Sequence, residues 1–183
     1  DLSSARARQR LDEYCDIADQ SGIAVMQLHH LEQVWCKSDT MDRLGLDELG
    51  RSSGQIQGAI ILIKRSPTTQ DFVRTWLEIS EEDDCRYLDD SPSTIPNHPY
   101  FKDHRHDQAI LSCLCKVTGV VPIADETYFA PDWALGGADL PIGAARHHWG
   151  SRFRPVEPSS LSHRAEWCLD RAEQWWAAHT REG

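Results

Sequence analysis

Long hydrophobic runs are what this 183-residue sequence most clearly lacks. The longest uninterrupted apolar stretch covers only residues 59–63, whereas a membrane-spanning helix needs about 20 apolar residues. The sequence also contains no internal repeat and no low-complexity tract. We therefore expect neither a transmembrane helix nor a repeat architecture.

Positive charge is scarce as well. The chain has 19 Lys and Arg residues against 29 Asp and Glu residues, which gives a formal net charge of -10. Such a field repels phosphate backbones, so general nucleic-acid binding is not expected, although a small basic pocket can still hold one phosphate. Hydrophobic residues make up 40% and charged residues 26%, which is typical of a globular chain, and we expect a single domain over residues 1–183.

The six cysteines include no C-x-x-C pair, so neither a zinc ribbon nor a thioredoxin-type site is expected. Cys113 and Cys115 fall in a helical pattern, where positions i and i+2 point apart. We interpret the thiols as reduced and structural, which indicates a reducing compartment such as the cytoplasm, or the soluble part of a longer protein. Because the chain begins at Asp1 rather than at Met, we expect it to be a piece of something longer.

Helical and strand patterns alternate along the chain. Apolar spacing predicts helices over residues 5–18, 68–79, from about 103, and 160–179. Short apolar runs predict strands at residues 23–28, at 55–63 as the central strand, and at 120–123 as an edge strand. Residues 81–99 form a predicted loop, and residues 130–158 are irregular. This alternation predicts an α/β fold with a mixed sheet flanked by helices.

The densest group of chemically active side chains stands at the start of the third strong helix: His104, Arg105, His106, Asp107 and Gln108. Asp107 shares a helical face with Ile110 and Leu111, so we expect it to point inward. A carboxylate there is stabilised by the helix dipole, and it can accept two hydrogen bonds from a sugar diol. Two interpretations stay open: a capping carboxylate with solvated basic neighbours, or a ligand site.

Other histidines offer weaker signals. His29 and His30 end the first predicted strand, where ligand clefts of α/β sheets lie, although a polar junction is the simpler interpretation. The segment 146–149 could offer an imidazole to a metal or an indole to a sugar face, but surface and core roles are more common. The H-x-H spacing at 104–106 suits a strand rather than a helix, so it does not favour a metal site.

The run that begins at Phe101, F-x-x-H-R-H-D-Q-A-I-L-S, resembles the H-R-H-D-Q-S-I-x-S signature of glycosyltransferase-like proteins of the GT-A, nucleotide-diphospho-sugar type. Further pieces resemble this family in the same order: W-C-K-S-D from Trp35, Q-I-Q-G-A from Gln55, the tryptophan at Trp76, and D-D-S from Asp89. Together these pieces cover about residues 10–148. Each is weak alone, and the ordered set is fairly specific.

The resemblance implies a GT-A-like twisted mixed sheet and an enzyme that moves a hexose from a nucleotide sugar to a hydroxyl of a carbohydrate or other acceptor. It implies Asp107 and Gln108 as the catalytic residues, beside the transferred sugar. The residues implied in substrate binding are Lys37, Asp39, Gln55, Gln57, His104, Arg105 and Trp149.

The resemblance also implies Mn²⁺ or Mg²⁺, which this family usually holds with an Asp-x-Asp motif at the end of an earlier strand. The nearest acidic pairs here, within residues 12–19, lie in an amphipathic helical pattern. His147 and His148 resemble the C-terminal histidine that some members of the family add to the metal site, and the resemblance implies them as metal contacts. We therefore expect the chain to be the C-terminal, acceptor-side part of such a protein, without its N-terminal nucleotide-binding portion. The alternative is a non-catalytic carbohydrate-binding or scaffolding domain.

Overall fold

A computed structural model describes residues 4–127, 137 and 139–143 of the chain. Over these residues the fold is mixed α/β, with a small three-stranded mixed sheet flanked by helices, as the sequence predicts. The predicted C-terminal helix and most of the predicted irregular segment lie outside the described residues.

The helices and strands lie close to their predicted places. In chain order they are α1 (Ala5–Ser21), β1 (Ile23–Leu31), α2 (Glu32–Trp35), α3 (Ser38–Arg43), α4 (Glu48–Arg51), β2 (Gly54–Ile63), α5 (Pro67–Cys85), α6 (His106–Val117) and β3 (Ile123–Ala124). In the part of the chain that the structure describes, no helix combines the length and the apolar character needed to cross a membrane.

The sheet corrects one prediction. Its order is β2-β1-β3, with β1 antiparallel to β2 and parallel to β3. Among the described residues β1 is therefore the central strand, and β2, which the sequence placed in the centre, lies at an edge. The burial explains this: β1 opens with four buried residues, whereas β2 is half-buried or exposed from Gly58 onward. The edge strand predicted at residues 120–123 is present only as the two-residue strand β3 (Ile123–Ala124), which lies at an edge of the described sheet and begins directly after Pro122.

Local sequence signals set the ends of the two long helices. The Ser4 hydroxyl accepts hydrogen bonds at the start of α1, and Gly22, with a φ of 87°, ends it in a conformation that favours glycine. Ser66 and Thr69 cap α5 reciprocally, with Pro67 in its first turn. The helical path of α5 breaks at Glu82, so the predicted loop begins near the expected place.

The core forms where α6 packs against β2 and α5. Every residue of α6 from Ala109 to Cys115 is buried, which confirms the predicted burial of Ile110, Leu111 and Leu114. The main apolar cluster joins both long strands to α5 and α6 through Ile23, Val25, Ile56, Phe72, Leu111, Leu114 and Cys115. The first turn of α6 projects beyond this core, and it carries the candidate site.

Candidate functional site

An open cleft of about 380 Å³ lies at the start of α6. Its lining is almost entirely the motif singled out in the sequence, joined by one tryptophan: Trp35, Asp103, His104, Arg105, His106, Asp107 and Gln108. The Arg105 guanidinium lies 4.2 Å from the centre of the Trp35 ring, and the Lys102 ammonium lies 5.7 Å from it. An aromatic ring next to two cations and two carboxylates is a surface suited to a polar ligand with an apolar face.

Asp107 lines the cleft, but the prediction that its side chain shares the buried face of α6 is wrong. The residue is exposed, whereas Ile110 and Leu111 on the same face are fully buried. The reason is that α6 is surrounded by protein on all sides from Ala109 to Cys115 but not in its first turn, so burial depends on position along the helix rather than on its face. The carboxylate is therefore available to a ligand in the cleft.

Gln108, the other predicted catalytic residue, is half-buried and tied to β2. Its Nε2 donates to Gln55 Oε1 at 3.0 Å, and its Oε1 accepts from the backbone N–H of Gly58 at 3.3 Å. An added Cβ at Gly58 would lie 3.0 Å from Gln108 Cβ, so a larger residue at this position would force Gln108 to shift. One amide proton and one oxygen lone pair of Gln108 are left by these two bonds.

Beneath the cleft lies a buried polar network that the sequence reasoning missed. The fully buried Glu32 accepts from Gln55 Nε2 at 2.9 Å, from Lys116 Nζ at 2.6 Å and from the Ser112 hydroxyl. Such a carboxylate is stable in the interior only because each oxygen has donors. The i, i+4 pair Ser112 and Lys116 on α6 was the available signal, but nothing in the sequence pairs it with Glu32.

Gln55 and Gln57, the two glutamines predicted near the acceptor, make different contacts. Both are buried, and neither lines the cleft. Gln55 lies directly below it, bonded to Gln108 and to the Trp35 carbonyl. Gln57 instead donates to the Thr127 hydroxyl at 2.7 Å, and its Oε1 has no partner among the described residues.

Lys37 does not face the cleft, contrary to the expectation for a substrate-binding residue. It is 2% exposed, and its ammonium donates to the carbonyls of Arg86, Asp89 and Ser91 at 2.5, 3.0 and 3.1 Å. The charge thus anchors the loop of residues 86–98, because three inward carbonyls need a donor.

Asp39 anchors the same loop. Its Oδ2 accepts from the Thr94 backbone N–H at 2.9 Å and from Arg86 at 3.4 Å, while its Oδ1 has no partner within the part of the chain that the structure describes. Burial acts to raise the pKa of this carboxyl, but the Thr94 hydrogen bond and the charges of Lys37 and Arg86 outweigh it, so the pKa lies below its usual range. Asp39 is therefore an ionised structural residue, and it lies in the first turn of α3.

His104 reaches the cleft, but both nitrogens of its ring are engaged. Nδ1 accepts from the Lys37 backbone N–H at 3.3 Å, so the proton lies on Nε2, which donates to the Tyr87 carbonyl at 2.9 Å. Burial lowers the pKa of His104 to about 4. The ring is neutral at physiological pH, and it joins the cleft to the loop of residues 86–98.

His106 stands at the lip of the cleft as the first residue of α6. It has a φ of 44°, an uncommon conformation for a residue with a side chain. Its Nε2 lies 2.9 Å from an Asp90 carboxylate oxygen in the loop of residues 86–98. The loop is therefore tied to the cleft at two points, through His104 and His106.

The described residues do not fit Mn²⁺ or Mg²⁺. Among them, one group of three potential ligand side chains has its ligand atoms within 4.8 Å of one another: Glu32, Cys36 and Cys113. The Glu32 oxygens already accept from three donors, and the two thiols lie 3.9 Å apart. Burial raises the pKa of Cys36, and the contact with Cys36 together with burial raises the pKa of Cys113. Hard cations prefer oxygen ligands, so this cluster suits packing instead.

Three of the candidate residues cannot be placed. Trp149, His147 and His148 lie outside the described residues, so the predicted sugar platform and metal contacts in that segment stay predictions. Trp35 is the tryptophan that the structure brings to the cleft, and it was visible in the sequence only as part of a motif.

Comparisons of the chain with protein-family models, with curated proteins and with solved structures find no match. The glycosyltransferase interpretation therefore depends on the motifs of this chain and on the geometry of the cleft. What the structure establishes is an α/β fold that gathers a carboxylate, an amide, an arginine and an indole in one place.

Proposed function

We propose that the chain is the acceptor-side part of a GT-A-type glycosyltransferase that moves a hexose from a nucleotide sugar to an acceptor hydroxyl. The cleft at the start of α6 is where the sugar or the acceptor binds. The observation that carries this proposal is the exposed Asp107 carboxylate in the same cleft as the Trp35 ring and Arg105. Carboxylates and guanidinium groups bind hydroxyls, and indole faces bind the C–H face of a sugar ring.

The chemistry assigns a task to each side chain. In the transfer, the acceptor oxygen bonds to the anomeric carbon, the bond from that carbon to the diphosphate breaks, and the hydroxyl proton passes to a base. Asp107 accepts that proton, or it accepts hydrogen bonds from a sugar diol and so orients the ring. Gln108 holds the start of α6 against β2, which fixes the position of the Asp107 carboxylate.

No step of this proposal uses a metal ion. The resemblance implies Mn²⁺ or Mg²⁺, which would stabilise a departing diphosphate, but the described residues offer it no site. The net charge of -10 also opposes diphosphate binding. The roles that we assign to the described residues are therefore the recognition of sugar hydroxyls, the positioning of the acceptor and, at Asp107, the acceptance of its proton.

The test is saturation-transfer NMR with a panel of methyl glycosides of glucose, galactose, mannose and N-acetylglucosamine. We expect at least one to bind, and Asp107→Asn to weaken that binding about tenfold or more, because a charge-assisted hydrogen bond is lost. Asp16→Asn is the matched control, since Asp16 is equally exposed but lies on α1. The melting temperature should change little in either variant.

A non-catalytic carbohydrate-binding domain is the second candidate. It is favoured by the engagement of Lys37, Asp39 and His104 in structural hydrogen bonds rather than in the cleft. Transfer of labelled sugar from a nucleotide sugar to the bound glycoside would exclude the non-catalytic domain. Binding without transfer fits both functions, because the described residues offer no metal site for a donor diphosphate, whereas absence of any binding that Asp107→Asn weakens contradicts both.

A further inference from the structure

Gln55 lies directly under the cleft and contacts two of the residues that line it. Its Nε2 donates to the Trp35 carbonyl at 3.2 Å, and its Oε1 accepts from Gln108 Nε2 at 3.0 Å. Gln55 has no exposed surface, so no ligand reaches it. Any effect it has on a ligand passes through Trp35 and Gln108.

Chemistry fixes which end of the Gln55 amide faces which neighbour. Its nitrogen faces the Glu32 carboxylate at 2.9 Å as well as the Trp35 carbonyl, and both of these groups accept hydrogen bonds only. The oxygen end must therefore face α6. Glu32 is itself held in place by Lys116 and Ser112, so the reference point for this orientation is rigid.

The orientation of the Gln55 amide also determines the orientation of the Gln108 amide. Because Gln55 presents an oxygen, Gln108 must present its nitrogen, and its own oxygen then accepts from the Gly58 backbone N–H. A reversed Gln55 amide would set nitrogen against nitrogen at Gln108, and oxygen against oxygen at the Glu32 carboxylate and the Trp35 carbonyl. The three-residue relay Glu32–Gln55–Gln108 thus has one low-energy orientation, in which each buried group is satisfied.

We propose that Gln55, oriented by Glu32, is a positioning residue for the cleft, which holds the Trp35 backbone and the Gln108 amide in the arrangement that receives the ligand. This inference rests on the proposed function, in that the cleft is taken to bind a saccharide. It adds that the buried residues Glu32 and Gln55 determine the positions of Trp35 and Gln108 in the cleft.

The test compares two equally buried glutamines of β2. Gln55→Met removes the relay and leaves Glu32 with Lys116 and Ser112, whereas Gln57→Met removes a buried amide that contacts Thr127 and does not line the cleft. One readout is hydrogen exchange of the Gln108 side-chain amide in ¹⁵N-labelled protein, assigned by its loss in Gln108→Met. The other is the affinity for the glycoside that binds the wild type.

We expect Gln55→Met to speed hydrogen exchange of the Gln108 side-chain amide about tenfold and to lower the affinity for the glycoside by a similar factor, because a buried hydrogen bond is lost. Gln57→Met should lower the melting temperature to a comparable extent and leave both readouts unchanged. Where Gln55→Met does not fold, Glu32→Gln is the second variant, since its amide can present either end to Gln55.

The outcomes separate the two proposals. If the relay variant lowers only the melting temperature, as Gln57→Met does, the positioning role is overturned while the cleft remains a binding site. If no glycoside binds the wild type, the proposed function fails, and hydrogen exchange of the Gln108 amide is then the only test of the positioning role of Gln55. Faster exchange in the relay variant then supports the positioning of Gln108, and unchanged exchange overturns it.

Discussion

His104 shows how a residue suited to catalysis can serve a structural purpose instead. Both of its ring nitrogens bond to backbone groups, one on Lys37 and one on Tyr87. Because the ring is buried and neutral in the folded protein, folding excludes a proton that the unfolded chain binds near pH 6.5. This difference makes the stability of the fold depend on pH.

We predict that the free energy of unfolding falls as the pH drops from about 6.5 to about 4, by an amount on the order of 3 kcal/mol from His104. The folded pKa is depressed, so the contribution is complete above the unfolded pKa and is lost as the pH falls. Urea unfolding across this range measures it. His104→Asn keeps an acceptor for the Lys37 N–H and should flatten the dependence.

The control for this variant is His29→Asn, because His29 is exposed at the end of β1. Its unfolding free energy should keep the wild-type dependence on pH. Equal slopes in the wild type and in His104→Asn would show that His104 is not held neutral by the fold.

Lys37 gives a second prediction at the residue scale. Lys37→Met should open the loop of residues 86–98, because three carbonyls lose their donor. Limited trypsin digestion reads this directly, since Arg86 lies in that loop, and we expect cleavage after Arg86 to become severalfold faster. Lys102→Met removes an exposed lysine and should leave that rate unchanged; equal protection in both variants would contradict the anchoring role.

At the scale of elements, the contact of α5 with α6 depends on Trp76. Its ring is half-buried and packs against the main apolar cluster, while its Nε1 donates to the Asp107 carbonyl at 3.2 Å. This tryptophan therefore joins α5 to the turn that carries the candidate carboxylate. Its sequence pattern indicated a core residue, and the structure adds the bond to α6.

We predict that Trp76→Ala lowers the free energy of unfolding by about 2–3 kcal/mol, less than the loss for a fully buried tryptophan, because part of the ring is already in water. Urea unfolding measures the change. Leu77→Ala, at a neighbouring residue that is 55% exposed, is the control and should cost under about 0.5 kcal/mol. A similar small loss at Trp76 would show that the ring does not join the two helices.

Sequence patterns predicted the elements better than the site. Apolar spacing and the Ser66–Pro67 start located α5 closely, since these signals act within a few residues. The structural contacts of Lys37 and Asp39 were not foreseen because their partners lie some 50 residues away in the loop of residues 86–98. The edge position of β2 was missed because an apolar run does not reveal how many neighbours a strand has.

The charge of the whole molecule bears on the donor. With a net charge of -10 and no fitting set of oxygen ligands among the described residues, we predict that the chain alone binds uridine and guanosine diphosphates with Kd above about 1 mM, even with Mn²⁺. Calorimetric titration with each diphosphate, with and without Mn²⁺, measures this. Micromolar, metal-dependent binding would show that a donor site exists within these residues.

The central claim is that one cleft, at the start of α6, receives the saccharide. Chemical-shift mapping on ¹⁵N-labelled protein during titration with a binding glycoside tests it most directly. We expect the largest shifts on the Trp35 indole and on the backbone amides of residues 105–108, with a smaller shift at the Trp76 indole, which bonds to Asp107. Shifts centred instead on the Arg10, Tyr14 and Glu126 network beside β3, with Trp35 unmoved, would contradict it.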